Sequence, residues 1–290
     1  SMAEETAHIT MLQRSPSYIF SIPGHDKLSE MLDTVLPSDW VFGMARWRNI
    51  KLQRLIYKAS KKYPNFMRKL LLSNVKRHVG DGVDMAHFSP SYMPWDERLC
   101  AVPDADLFKD LRDGKASVVT DHIETFTENG ILLKSGRELE ADIIITATGL
   151  NLQVLGGMQL SLNGEPLDVS ERMTYKGVLM EGVPNMAWVF GYTNASWTLK
   201  ADIAAAYVCR LLNYLKENRL SVAMPRAECA QPQQDHSIMD ALGSGYVQRS
   251  SHLLPRQGQG HPWRVTNHYA HDSHMLLEEP VEDGFLAFSR

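Results

Sequence analysis

The sequence of 290 residues is poor in cysteine and contains no long hydrophobic run. Its three cysteines, Cys100, Cys209 and Cys229, lie far apart and form no Cys-x-x-Cys pair. This spacing argues against a dithiol redox centre and favours reduced thiols, so we expect a cytoplasmic protein. No apolar run approaches the roughly 18 residues that a membrane span requires. The opening residues, SMAEETAHIT, lack the features of a signal peptide.

The chain also has little excess charge, and one segment has no acidic residue at all. The net charge of -4 argues against general binding to nucleic acid or to an anionic membrane. Between Asp39 and Asp81 there are only basic charges, namely Arg46, Arg48, Lys51, Arg54, Lys58, Lys61, Lys62, Arg68, Lys69, Lys76 and Arg77. Apolar residues recur there at helical spacing, which predicts a mostly helical segment over 26–80. Its part at 45–78 could contact a membrane surface, although a solvated basic face is the more frequent outcome.

Strand patterns lie on both sides of this segment. The alternating stretch HITMLQRS predicts a strand after a short helical turn at 4–7. Further along, Ala116–Thr120, Ile123–Phe126 and 131–134 predict a meander that leads into a fully apolar strand at 142–146. A second strand is predicted to end at Gly191, followed by a helix over 198–215. Residues 221–290 are rich in Pro, Gln, His and Gly, so a loosely structured extension is predicted.

Two of these predicted strands end on glycine and small polar residues. In ELEADIIITATGLNLQ, the three isoleucines 143–145 suit a strand buried on both faces. Ala147 and Gly149 then leave room for a flat ligand to approach, although a plain strand-to-turn exit is equally compatible. In FGYTNASWTLKAD, the second strand end runs into a helix N-terminus, whose free N–H groups favour an electron-rich partner. Two strand ends of this kind in one chain suggest a ligand-binding site between two domains.

Several long segments together resemble the flavin-dependent Baeyer–Villiger monooxygenases, in particular the ethionamide-activating branch. They are PWDERLCAVPDADLF, SVVTDHIETFTENGILLKSGRELEADIIITATGLNLQ and FGYTNASWTLKAD. The resemblance implies an α/β fold with two Rossmann-like dinucleotide-binding domains and a helical insertion. The implied division is 1–25 and 81–149 for the NADPH-binding domain, 26–80 for the insertion, 150–220 for the FAD-binding domain and 221–290 for an extension.

The resemblance also implies an activity and residue roles. Members use FAD and NADPH to insert one oxygen atom from O2 into a ketone or onto sulfur. Arg98 falls at the family's active-site arginine, where a fixed cation would stabilise developing oxyanions. Arg14 and Ser15 fall where the 2′-phosphate of NADPH is read, and a guanidinium beside a hydroxyl suits that phosphate. The implied cofactor-binding positions near the junction of the two cofactors are Thr148, Gly149, Asn194, Ser196 and Trp197.

The sequence departs from the family in its glycines. No complete GxGxxG turn occurs, since GDG, GSG and GQG each lack the third glycine and its strand–turn–helix setting. From this comparison with the family pattern, we expect that roughly the first two-fifths of a typical member is missing from the sequence. We therefore expect little or no monooxygenase activity from these 290 residues alone, with dimerisation as one way to complete the fold.

Other functions remain open. An amine- or sulfur-oxygenating flavin monooxygenase is the alternative within the enzymes, and a truncated, non-catalytic binding module using the basic segment is the alternative outside them. His268, His271 and His274 are spaced three apart, but without accompanying cysteines or carboxylates we expect no metal site. The absence of a GxSxG elbow argues against a serine hydrolase.

Overall fold

The chain divides into two units, Ser1–Thr148 and Gly149–Arg290. The computed structural model describes residues 2–97, 99–227, 232–239 and 243–290, with the backbone alone over 232–237. Each unit is considered by itself below. None of the helices within the described ranges combines the length and hydrophobicity of a membrane span.

The first unit mixes helices with short strands. In chain order these elements are β1 (Ile9–Gln13), β2 (Ile19–Ile22), α1 (Lys27–Asp33), α2 (Ser38–Lys62), α3 (Pro64–Val79), β3 (Cys100–Pro103), α4 (Asp106–Arg112), β4 (Ala116–Thr120), β5 (Ile123–Phe126), β6 (Gly130–Leu133) and β7 (Glu138–Glu140), with 3-10 turns at Met2–Glu4 and Met85–Phe88. The predicted helices over 26–80 are confirmed. Pro64 opens α3 rather than merely ending α2, as its fixed φ allows at a first helical position.

The predicted meander is wrong in its first strand. β1 pairs with β4 in parallel, with Ile9 opposite Ala116, and β2 pairs with β3 in parallel. The antiparallel meander is β5, β6 and β7, so β4 is not part of it. Val118 and Val119 in β4 are both buried, which suits a strand covered on two faces. A parallel partner lies far away in sequence, and local turn signals therefore cannot reveal it.

Helices α3 and α4 pack against the two parallel strand pairs, α3 on β2 and α4 on β3 and β4. The core between them contains mainly large apolar side chains, among them Val75, Val79, Phe88, Phe108, Leu111 and Val118. Val75 and Val79 are one helical turn apart and lie on the inward face of α3. This arrangement of helices against parallel strands confirms the predicted α/β class.

The second unit is built around one long helix. Its elements are β8 (Leu160–Leu162), β9 (Glu165–Leu167), β10 (Thr174–Tyr175), β11 (Leu179–Met180), α5 (Trp197–Glu217), β12 (Val222–Pro225), β13 (Pro232–Ser237), α6 (Gly245–Ser250), β14 (Arg256–Gly258), α7 (Tyr269–Leu277) and β15 (Leu286–Ser289), with 3-10 turns at Val154–Gly157, Val169–Glu171 and Ser251–Leu253. The helix predicted at 198–215 is thus confirmed. Its buried residues recur every four positions at Leu199, Ile203, Tyr207, Leu211 and Leu215.

The prediction of a loose extension at 221–290 is wrong for the described part of that segment. Its apolar residues Ala223, Trp263, Met275, Leu276 and Leu286 are buried in the same core as α5. β12 pairs with β15 in antiparallel fashion, so the end of the chain is held in a small sheet. The polar composition was misleading because a few well-spaced large residues are enough to form one face of a core.

Neither predicted glycine-ended strand forms. Residues 142–146 are irregular and exposed, with exposed fractions of 77% for Ile143 and 66% for Ile145. No strand in the described part of the chain pairs with them, and a strand without a neighbour has no hydrogen-bond ladder. Residues 188–192 are also irregular, although Ala187 just before them makes a bridge to Leu179, and most of them are buried.

Candidate functional site

The carboxyl ends of β1 and β4 form a closely bonded edge. The Gln13 side-chain amide donates to the backbone carbonyl of His87 at 2.7 Å and to Thr120 Oγ1 at 2.8 Å. His87 Nδ1 lies 2.7 Å from the same hydroxyl. The backbone N–H of Asp121 donates to the Gln13 carbonyl at 3.0 Å. These contacts fix the point at which the chain leaves β1.

Arg14 and Ser15 begin the loop that follows this edge. Both side chains are exposed, and within the described ranges neither makes a hydrogen bond or an ion pair. A guanidinium and a hydroxyl at the carboxyl end of a parallel strand form a donor set that suits a phosphate group. Gln13, His87 and Thr120 were not predicted, although Gln13 directly precedes Arg14 in the sequence.

Arg98, the predicted catalytic residue, lies outside the described residues. The turn just before it is anchored to α2, because Lys61 Nζ donates to the Trp95 carbonyl at 3.1 Å and to Asp96 Oδ1 at 3.0 Å. Trp95 also packs edge-on against Tyr57, with ring centroids 5.4 Å apart. The basic segment thus holds Trp95 and Asp96 through Lys61, a contact that the sequence spacing does not reveal.

Thr148 and Gly149 lie on either side of the division between the two units. Both are exposed, and Gly149 has a φ of +107°, a conformation that favours glycine. A Cβ at Gly149 would meet no atom within 4 Å, so its backbone conformation rather than crowding calls for glycine. The prediction that this position leaves room for a cofactor stays a prediction.

The start of α5 carries the other predicted cofactor residues. Ser196 is the N-cap residue, but its side chain makes no capping bond and lies 2.8 Å from Thr198 Oγ1. Asn194 Nδ2 donates to the Asn267 carbonyl at 3.1 Å, which ties this loop to the segment before α7. The Trp197 ring packs against Phe190, with centroids 5.5 Å apart, and it occupies the space in which a Cβ on Gly191 would lie. Gly191 is therefore required for this packing.

A buried ion pair lies behind the first turn of α5. Lys200 Nζ donates to Asp272 Oδ2 at 2.9 Å, and both side chains are almost fully buried. Tyr192 and Thr266 donate their hydroxyls to the same carboxylate at 3.0 and 2.8 Å. Burial lowers the pKa of Lys200, against the opposing effect of Asp272, and burial raises the pKa of Tyr192. The network holds α5, α7 and the loop before α5 in one arrangement.

No protein-family model matches the chain, whereas individual relatives do. The chain is 59% identical over 285 residues to MymA of Mycobacterium tuberculosis (strain ATCC 25618 / H37Rv), whose name assigns it to the FAD-containing monooxygenases. It is 47% identical over 290 residues to the FAD-containing monooxygenase EthA of Mycolicibacterium smegmatis. The chain is a partial-length homologue of the FAD-containing monooxygenases. These alignments include 98% of the chain but only 57% of MymA and 58% of EthA, so the chain spans little more than half of each relative.

The fold of this monooxygenase homologue has a solved counterpart. An oxidized steroid monooxygenase bound to NADP matches all of the chain and 63% of its own length, with a TM-score of 0.69 and 15% sequence identity. At this identity the likeness concerns the fold. It agrees with the predicted Rossmann-like α/β fold.

The predicted site residues of the homologue divide between the two units. Arg14, Ser15 and Thr148 belong to the first unit, and Gly149, Asn194, Ser196 and Trp197 belong to the second. Within the second unit, Asn194, Ser196 and Trp197 surround the start of α5. The prediction that the two glycine-ended exits face one cleft stays a prediction.

Two of the histidines near the C-terminus make local contacts in and around α7. His268 Nδ1 accepts from the His271 backbone N–H and caps α7, and His274 Nδ1 lies 2.7 Å from Glu278 Oε2. Among the described residues, no group of three His, Cys, Asp or Glu side chains is placed to hold a metal ion. Cys100 and Cys209 are unpaired thiols, and Cys229 lies outside the described ranges.

Proposed function

We propose that this chain is the C-terminal portion of a Baeyer–Villiger-type monooxygenase that uses FAD and NADPH to insert one oxygen atom from O2 into a ketone or onto sulfur. The observation that carries the proposal is the 59% identity to MymA over 98% of the chain, together with the relation to EthA. The fold of the NADP-bound steroid monooxygenase supports it.

The residues present fit the phosphate of NADPH. Arg14 and Ser15 are exposed beside an edge that the Gln13 side chain fixes to β4. Because a guanidinium offers paired N–H donors that match a phosphate, Arg14 would bind a 2′-phosphate and disfavour a cofactor with a hydroxyl in its place. Ser15 would add a hydrogen bond to the same group.

The residues present fit only part of FAD. The start of α5, with Asn194, Ser196 and Trp197, offers N–H groups to the electron-rich end of a flavin ring. However, the sequence contains no GxGxxG turn for the diphosphate, so we expect the 290-residue chain to retain little FAD and little activity. When bound, the flavin supplies electron transfer from NADPH to oxygen. Arg98 would act on the developing oxyanion as a fixed positive charge.

The remaining features of the proposal concern partners and organisation. A small ketone or thioether is the substrate class. The protein is cytoplasmic, does not bind nucleic acid and forms a homodimer.

Residues 1–25 and 81–149 form the NADPH-binding part, 26–80 the insertion, 150–220 part of the FAD-binding domain and 221–290 the extension. The segment 45–78 makes a peripheral membrane contact. An amine- or sulfur-oxygenating monooxygenase and a non-catalytic module are the alternatives.

The phosphate assignment can be tested without flavin. We expect the chain to bind adenosine 2′,5′-bisphosphate more tightly than 5′-AMP, as measured by calorimetry. Arg14→Ala should weaken bisphosphate binding by about 10- to 100-fold, the effect of a charge-assisted hydrogen bond, while changing 5′-AMP binding little.

Arg137→Ala removes an exposed arginine from a turn outside this edge and serves as the matched control. Equal loss for both nucleotides in Arg14→Ala, or an equal effect of Arg137→Ala, would contradict the assignment. If the unaltered chain shows no preference for the bisphosphate, the role of Arg14 is wrong.

A further inference from the structure

The helix α2 exposes an unusual mixture of side chains along one face. Trp40, Met44, Trp47, Lys51, Leu55 and Lys58 are spaced by three or four residues, so they form one line along the helix, here called the α2 stripe. All six are exposed. The exposed fractions reach 69% for Trp40 and 64% for Trp47 and Leu55.

A solvated basic helix would not show this pattern. Such a helix turns its apolar residues toward the core and leaves a polar outer face. On α2 the buried residues, Val41 and Ser60, lie off the stripe, and the stripe itself combines four exposed apolar side chains with two exposed lysines. Large exposed apolar patches of this kind mark surfaces that bind a partner.

The charges of the segment indicate the sign of that partner. No acidic residue occurs between Asp39 and Asp81, although the chain as a whole has a net charge of -4. Arg48, Lys61 and Lys76 pair with Asp26, Asp96 and Asp81, which all lie outside the acid-free range 40–80. Lys51 and Lys58 are in no ion pair within the described part of the chain. Their charges are available to an anionic surface.

The apolar members of the stripe distinguish a membrane from nucleic acid. Tryptophan prefers the headgroup level of a bilayer, and lysine can extend its ammonium to the headgroups while its stem covers apolar surface. Lys51 already lies over the Trp47 ring, 5.6 Å from its centroid. Met44 and Leu55 would gain from acyl chains but could not stack on bases. α3 repeats the pattern with exposed Phe66, Lys69 and Leu70.

We propose that the α2 stripe docks the protein onto an anionic lipid bilayer, with its tryptophans at the headgroup level and its lysines against lipid phosphates. This extends the peripheral membrane contact in the proposed function by naming its residues and its lipid class. It requires neither FAD nor NADPH. Lipid binding and nucleotide binding can therefore fail independently.

The test is sedimentation of the 290-residue chain with vesicles, without nucleotide. We expect vesicles of phosphatidylcholine with phosphatidylglycerol to bind the chain at least 10-fold better than pure phosphatidylcholine, and 0.5 M salt to remove this preference. Lys51→Gln/Lys58→Gln should lower vesicle binding by about 30-fold, because each lysine that is replaced no longer attracts the anionic headgroups. Trp40→Ser/Trp47→Ser should lower it as well.

Two matched controls distinguish binding through the α2 stripe from binding through positive charge or exposed apolar surface elsewhere on the chain. Lys115→Gln/Lys134→Gln removes the same charge from exposed positions outside α2, and Ile143→Ser/Ile145→Ser removes exposed apolar surface outside α2. Both should bind like the unaltered chain. The proposal is overturned if no vesicle binds the chain, if either control loses as much binding as the stripe variants, or if duplex DNA competes fully with the vesicles.

Discussion

Residues 143–149 and residues 188–191 share a sequence pattern, but the apolar side chains of the first are exposed and most of those of the second are buried. Each is a short apolar run that ends at a glycine, and neither is a strand. In the first, Ile143, Ile144 and Ile145 are exposed. In the second, Trp188 and Phe190 are buried against a cluster that includes Ile238, Met239, Val247 and Leu254.

The difference lies in what the rest of the chain supplies. The second run is covered by side chains that follow about 50 to 65 positions later, so it is fixed by packing without any ladder. The first has no covering element among the described residues, and its relatives are longer than this chain. An apolar run therefore predicts burial only if another segment covers its side chains. The sequence of the run alone does not show whether that covering segment is present. Three predictions test this contrast.

The largest effect is expected where the second run is anchored. Asp272→Ala would leave the Lys200 ammonium buried without its carboxylate and would remove the acceptor of the Tyr192 hydroxyl. Breaking such a buried pair costs about 3–5 kcal/mol of unfolding free energy. Urea unfolding followed by tryptophan fluorescence measures the loss.

Glu217→Ala, at the exposed C-terminal end of α5, is the control and should change the unfolding free energy by less than about 0.5 kcal/mol. Adding Lys200→Met to Asp272→Ala should recover part of the loss, because the unpaired charge is then removed. A loss below about 1 kcal/mol in Asp272→Ala would show that the network does not anchor this run.

A smaller effect is expected at alkaline pH. Burial raises the pKa of Tyr192 above its usual 10.0, so the folded state keeps a proton that the unfolded state releases. The stability that this proton contributes is complete below pH 10 and declines as the pH rises above it. Between pH 9 and pH 11, Tyr192→Phe should therefore lose about 1.4 kcal/mol less stability than the unaltered chain.

Tyr63→Phe provides the comparison, because Tyr63 is exposed at the end of α2 and should leave the alkaline decline unchanged. If Tyr63→Phe and Tyr192→Phe give the same alkaline profile, the Tyr192 hydroxyl titrates in the folded state and the network is open to water.

The elements that could be predicted are those whose signal is local. The helix α5 follows from apolar residues every three or four positions, and the helices over 26–80 follow from the same pattern with Pro64 as a boundary. β1 follows from alternation over Ile9–Gln13. In each case the period of the side chains specifies the element without knowledge of its partner.

The elements that could not be predicted depend on distant partners. β4 was placed in the wrong sheet because its parallel partner β1 lies 107 positions earlier. At the candidate site, the position of Arg14 and Ser15 after a strand could be read directly, but the Gln13–Thr120 bond that fixes them could not. The role of Asp272 has no local signal either, because its buried partner Lys200 lies 72 residues away.

The smallest effect is expected in the first run. Ile143→Ser/Ile145→Ser should change the unfolding free energy by less than about 0.5 kcal/mol, because neither side chain is buried and no contact would be lost. Phe190→Ser in the second run should cost about 3 kcal/mol or more, because it would leave a cavity and a hydroxyl among buried rings. Urea unfolding of the two variants side by side measures the contrast directly. A loss above 1 kcal/mol in the isoleucine variant would mean that residues 143–145 are covered in solution, most simply by a second copy of the chain. Such a loss should then depend on protein concentration, because a cover supplied by a second molecule is subject to mass action.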